Sequence, residues 1–444
     1  MSATFLTRLL FSGVVGAGAS FILAGCGQSS KPTADDAASI ASNDAGSSSA
    51  SSKQSSTAGA LPTVAISNAA ADPDGAVASD DDETIKIADL KVGSAEWLLR
   101  EITRLRVEKY PADKDVDRLK DVRRERNLKL IQLATEVIAQ THGDPEQERL
   151  FRLGVHHLME ARLELALGGD AEHIDQLYAD AASLHQRNPN SKAAEEAAYV
   201  LVKFAQANAT RFAKQEPRWL EEFARQARLY VSSFPQDRLR GPNALFAAAE
   251  SCELHGRVED AKVCYAQLQQ QFPDHLLAAQ ATGILRRIAI VGQPMTLGGP
   301  TLEGDYWSLD DVRGKAVLIV FWSSQASKFL NAAETLNAMH QKYGDRGLTI
   351  VGVNLDFEES DVREFIETRN IEWPQIFFVE ENQRGWDHPV ANYYGIRQVP
   401  AYWLVDNEGI VRHTNAPIET LAETLSQYVS IDETPAAAPP ASKE

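Results

Sequence analysis

At Val291 the sequence changes its periodicity, and that change constrains the fold more than any other feature of the chain. Before it, from Thr84 to Ile290, apolar residues recur three and four positions apart, as in EWLLREITRLRV and LKLIQLATEVIAQ. This is the spacing of amphipathic helices. After it, short β-branched runs alternate with helical ones: KAVLIVFW, a helix to about Tyr343, LTIVGVNLD, a helix from near Ser360, then WPQIFFVE. The hairpin AYWLVDNEGIVRH, turned by Asn-Glu-Gly, and a last helix over 418–429 complete the series. Strands alternating with helices predict an α/β domain. The expected order is an all-α region at 84–290 and an α/β domain at 291–430, with a tail at 431–444.

Prolines punctuate the helical region. Pro145, Pro189, Pro235 and Pro273 each close a helical run, at intervals suited to stacked helical hairpins. The last unit resembles the tetratricopeptide pattern best, with Leu245, Ala248, Ala249 and Cys252 on one helix, Gly256 in the turn, Ala261 and Tyr265 on the second helix, and Pro273 at its end. Small residues at Ala249 and Ala261 let the two helices approach closely. Earlier units fit more loosely and vary in length, so a generic helical bundle is the competing reading.

The chain begins with Arg8 and an apolar run that is too short and glycine-rich for a membrane span. It ends in Leu23-Ala24-Gly25-Cys26, which resembles a bacterial lipoprotein lipobox. The resemblance implies that residues 1–26 are a signal peptide ending at an acylated Cys26, and that the mature chain is lipid-anchored on the periplasmic side of the cell envelope. Gly27 in place of Asp favours the outer membrane. Residues 27–83 are built of Ser, Ala, Asp, Thr and Gly and cannot bury enough apolar surface to offset ordering, so they predict a disordered tether. Asp80, Asp81, Asp82 and Glu83 lack the spaced ligands of a calcium loop and read as a solvated charge run.

A chain of 444 residues is too long for one small core, and a formal charge of -18 leaves no basic surplus for nucleic acid. The basic run RLKDVRRERNLK is interleaved with Asp121 and Glu125 and reads as a salt-bridged helix. His156, His157 and Glu160 share adjacent helical faces; a metal would need further ligands, and an exposed helix face is the simpler reading, so no metal site is assigned. Cys252 and Cys264 fall on the two helices of one hairpin, where a disulfide and a pair of buried small residues both remain open. No cofactor motif is read.

The α/β region resembles the thioredoxin superfamily, in particular membrane-attached thioredoxin-like disulfide reductases and their peroxiredoxin-related (redoxin) relatives. The resemblance runs from Gly292 to Val429 and is carried by VGQP, LDDVRGKAVLIVFW, GLTIVGVNLD and YGIRQVPAYWLVDNEGIV. It implies a cis-proline at Pro400 and places the family's Trp-Cys-x-x-Cys on Gln325 to Phe329. Ala326 then replaces the attacking cysteine and Phe329 the resolving one, with Ser327 and Lys328 between them. A dithiol reaction needs a thiolate and a second thiol to resolve the mixed disulfide, and no cysteine lies anywhere in this domain. Ser324 and Ser327 are too weakly acidic to serve instead and are expected to cap the following helix.

What the resemblance leaves is a peptide groove, formed by Trp322, Ser324, Gln325, Ser327, Lys328, Val399 and Pro400. The expected function is therefore a lipid-anchored envelope protein whose redox-inactive thioredoxin-like domain binds a protein or peptide partner or acts as a scaffold. An inert cap on the helical array, a thiol-disulfide oxidoreductase or redoxin, and a structural envelope spacer are the alternatives.

Overall fold

The computed structural model describes residues 90–110 and 115–429. Cys26 and its lipobox, the 27–83 tether and the 431–444 tail lie outside the described residues. No helix among those described is long and apolar enough to cross a membrane.

The helical region contains α1 (Ala95–Val107), α2 (Val116–Thr141), α3 (Glu148–Leu167), α4 (Ala171–Arg187), α5 (Lys192–Phe212), α6 (Arg218–Ser233), α7 (Arg240–Leu254), α8 (Val258–Gln271) and α9 (Leu276–Ala289). Each helix packs on the next, and α1, α3, α5, α7 and α9 also touch in series, so the hairpins stack into an array. The starts are written locally: Ser94, Asp170 and Ser191 accept backbone N–H groups of their own first turns. The ends are too. Pro189, Pro235 and Pro273 each follow a helix terminus by two residues, where a missing N–H and a restricted preceding residue prevent continuation. Ala249, Cys252 and Ala261 are wholly buried between α7 and α8, as close helix approach requires.

The α/β domain opens with a hairpin not foreseen from the sequence, β1 (Gly298–Pro300) and β2 (Tyr306–Ser308). Its five-stranded sheet has the order β5-β4-β3-β6-β7, built from β3 (Ala316–Trp322), β4 (Leu348–Asn354), β5 (Gln375–Ile376), β6 (Ala401–Val405) and β7 (Val411–His413). Strands β3, β4 and β5 are parallel; β6 runs antiparallel to them, and β7, antiparallel to β6, runs in their direction again. Helices α10 (Ser327–Tyr343), α11 (Glu359–Arg369) and α13 (Ile418–Leu425) supply the covered side of one face, and the short α12 (Pro389–Tyr393) lies on the other. All seven residues of β3 are buried, which accounts for its uninterrupted apolar run: both faces of the strand are covered. Strand β5 is only two residues long where eight were expected, because Pro374 cannot donate to a ladder and the chain beyond Ile376 pairs with the β1 segment through Phe377 N–H and Pro300 C=O.

The helical array and the α/β domain have separate cores but meet at α9. A Cβ on Gly283 would lie 2.6 Å from the Asn392 carbonyl oxygen, and Gly395, at φ +60°, comes equally close to the backbone of Ile284. Only two glycines permit this approach. Around it Arg286 donates to the Tyr393 carbonyl and covers the Tyr393 ring at 3.6 Å, while Arg397 bonds Gln280 at 2.9 Å and pairs with Glu250 at 3.4 Å. Gly283→Ala should therefore lower stability by about 1–3 kcal/mol, the usual cost of overpacking, seen as a lower urea midpoint. An unchanged midpoint would show that the contact yields freely.

Candidate functional site

The C-terminal end of β3 delivers the chain to a tight turn, Ser323 to Gln325, from which α10 starts. Pairing of Phe321 with Ala401 sets the end of β3 beside Pro400, whose bond to Val399 is cis. The helix start and the proline segment are thus neighbours, as the resemblance implied. Gln325, Ser327 and Lys328 are exposed, and Ser324, Val399 and Pro400 are half-buried.

Trp322 does not line this groove. It is completely buried, its indole N–H donates to Gln375 Oε1 at 2.8 Å, and its ring stacks on Phe329 at 4.6 Å and meets the tilted ring of Phe365 at 5.2 Å. Gly352 leaves the space that Gln375 and the indole occupy. Phe329, at the position given to a resolving cysteine, is equally buried and belongs to this aromatic stack.

The two serines do not cap α10 either. The cap position is Ala326, with no side-chain bond, and Ser327 is the first helical residue. Ser324 is committed elsewhere: Asp356, just past β4, accepts from Ser324 N–H at 2.9 Å, from Ser324 Oγ at 3.1 Å and from Ser323 Oγ. Asn354 Nδ2 completes the carboxylate's shell at 2.8 Å. A buried charge needs such donors, and here four of them converge on one side chain. The turn before α10 is therefore built around Asp356, a residue that the sequence marked only as the end of LTIVGVNLD. Both serine hydroxyls are committed as donors to this carboxylate.

Elsewhere, both thiols that sequence reasoning had left open to bridging are free and buried. Burial pushes Cys252 up to about 11 and Cys264 up to about 12, which removes thiolate character at neutral pH. Of the histidine group, His156 and Glu160 meet Glu196 from α5, but each acid already has a cation: Lys203 on Glu160 and Arg240 on Glu196. Burial alone would raise Glu196; hydrogen bonds from His156 and Arg240 hold it down at about 2. His157 is withdrawn from the group, pushed down to about 3 by burial, with the Arg106 charge adding to it. This is a closed ion-pair network on a helical face.

Residues 291–414 match the model of the AhpC/TSA family. A thiol-disulfide oxidoreductase ResA of Bacillus anthracis is 24% identical over 110 residues, covering 25% of this chain and 60% of that protein. Thioredoxin-like protein YneN of Bacillus subtilis is 25% identical over 135 residues, covering 30% and 74% respectively. The chain thus matches about three-fifths of the length of the ResA relatives. Among solved structures, the thioredoxin domain of a thiol-disulfide oxidoreductase from Bacteroides vulgatus is 28% identical, with 32% of this chain and 98% of that one covered and a TM-score of 0.29. The C-terminal part of the chain is a thioredoxin-like domain of the AhpC/TSA redoxin type, preceded by a helical region.

The two serines make a sharp test of this site. Asp356→Ala strands the Ser324 N–H and should cost about 1.5–3 kcal/mol in denaturant unfolding, the range for hydrogen bonds to a charged group. Ser327→Ala, at an exposed first-turn position, should stay within about 0.5 kcal/mol of the parent. Equal effects would refute the assignment.

Proposed function

We propose that this protein is a lipid-anchored component of the bacterial cell envelope whose thioredoxin-like domain binds a protein or peptide segment without thiol chemistry. The observation that carries the reading is the content of the α10 start. Ala326 stands at the helix N-cap and Phe329 is built into the core stack, at the positions where the resemblance puts a cysteine pair. No cysteine occurs from Val291 to Val429. A dithiol exchange transfers two electrons between sulfurs, so it has no route through this site. The thiols of α7 and α8 offer none, since burial keeps them protonated.

The groove is retained in reduced form. Exposed Gln325, Ser327 and Lys328 lie beside the half-buried Val399 and Pro400, and Asp356 fixes the turn that presents them. A rigid helix start beside an extended segment is suited to holding a strand-like peptide through main-chain hydrogen bonds. The thiol-disulfide oxidoreductases among the relatives favour the other reading, and the two are separable by assay.

The full-length chain should show no dithiol-dependent reduction of a protein disulfide above background. Ala326→Cys places a thiol at a helix N-terminus and should give an alkylation pKa below the usual 8.5 or so. The pair Ala326→Cys with Phe329→Cys should gain reductase turnover, at a stability cost of about 3–5 kcal/mol for emptying a buried aromatic site. Turnover by the parent chain would overturn the non-enzymatic reading.

The anchor is tested separately. Mass spectrometry of the mature N-terminus should find an acylated Cys26, and Cys26→Ala should leave the precursor unprocessed. A processed wild-type chain without lipid would remove the anchor from the proposal.

A further inference from the structure

Next to the α10 start lies a second surface that the groove does not include. Phe357 directly follows Asp356, and Val379 and Trp386 belong to the loop between β5 and α12. These three apolar side chains are 53%, 67% and 47% exposed. One residue gathers them. The Arg384 guanidinium, only 11% exposed, donates to the carbonyls of Phe357 at 3.3 Å, Phe378 at 2.9 Å and Val379 at 2.6 Å. Its face also lies over the Phe377 ring at 4.9 Å. Gly385 N–H donates to the Asp356 carbonyl, and a Cβ on Gly385 would lie 4.0 Å from the Phe357 ring. The loop carrying Val379 and Trp386 is therefore stapled to the strand end carrying Phe357, and an arginine is spent on backbone carbonyls to do it.

The rim of this ridge is acidic. Glu358, Glu380, Glu381 and Asp387 are all exposed, and among the described residues no hydrogen bond or ion pair engages their carboxylates. Nearly burying the Arg384 guanidinium costs desolvation, and what it secures is apolar area facing water, the pattern of a contact surface. Four unpaired carboxylates around it select the sign of what binds.

We infer that the ridge of Phe357, Val379 and Trp386, with its acidic rim, is a docking surface for a protein segment in which apolar side chains are interspersed with Lys and Arg. The inference rests on the peptide-binding reading of the domain and gives the partner its chemistry. The ridge is tied to the α10 turn through buried Asp356, whose carboxylate holds the Ser323–Ser324 turn and whose chain neighbour is Phe357. A segment lying across both would place its main chain near the α10 start and its basic side chains over the rim. An anionic membrane is disfavoured as the occupant because the same carboxylates repel it.

The experiment uses the full-length chain and dye-labelled twelve-residue peptides followed by fluorescence anisotropy. One peptide alternates Leu and Lys, a second alternates Leu and Glu, and a third alternates Ser and Lys. The Leu/Lys peptide should bind, with affinity falling as salt rises, and each of the others should bind at least tenfold more weakly. Trp386→Ala should weaken the Leu/Lys peptide at least tenfold, and Glu380→Lys with Glu381→Lys should do the same while flattening the salt dependence. Groove variants Gln325→Glu and Lys328→Glu are run beside them. A change in both sets supports a segment lying across ridge and groove; loss in the ridge variants alone supports the ridge and refutes the groove; a change in the groove variants alone supports the groove and refutes the ridge. Absence of Leu/Lys binding, binding indifferent to the ridge variants, or Trp386-dependent binding to phosphatidylcholine vesicles in preference to the peptide would each overturn the inference.

Discussion

The C-terminal domain is registered against one strand. Seven consecutive side chains of β3 are buried, so neither face can meet water, and the chain on both sides of it has to supply cover. The parallel partner β4 and the antiparallel partner β6 satisfy its backbone, while α10 and the α12 segment lie on opposite faces. Because the strand ends in Trp322, whose indole is tied to Gln375, the point at which α10 begins is fixed to within a hydrogen bond. The candidate site is the end of that strand.

The division into a helical array and an α/β domain was legible in the sequence because its signals are local. Prolines stop helices, Ser and Asp start them, and an Asn-Glu-Gly tip turns β6 into β7 by itself. The errors came where a distant residue decides. The family resemblance puts Trp322 in a groove; Gln375, 53 positions away, holds it inside. Ser324 has the chemistry of a cap, and a lone helix would use it so, but Asp356 offers a charged acceptor and wins. Asp356 and Arg384 had no pattern of their own, since each acts on backbone groups that adjoin it only after folding.

The substitutions at the α10 start differ in kind. Ala326 leaves a helix N-terminus that is unoccupied by a side chain, so the electrostatic setting for an anion or a thiolate persists. Phe329 joins Trp322 and Phe365 in one aromatic cluster that fills the space below the turn. A stiff turn presenting fixed backbone donors pays less entropy when a segment lies down on it.

The paired glycines have a mechanical consequence. At Gly283 and Gly395 two backbones touch with no side chain between them to change rotamer and absorb displacement. Gly395 is separated from the cis peptide at Val399–Pro400 only by Ile396, Arg397 and Gln398, and Arg397 is itself tied back to α7 and α9. Any strain carried by α9 therefore reaches the chain that leads to Val399 and Pro400 directly through backbone, with no side chain between to take it up.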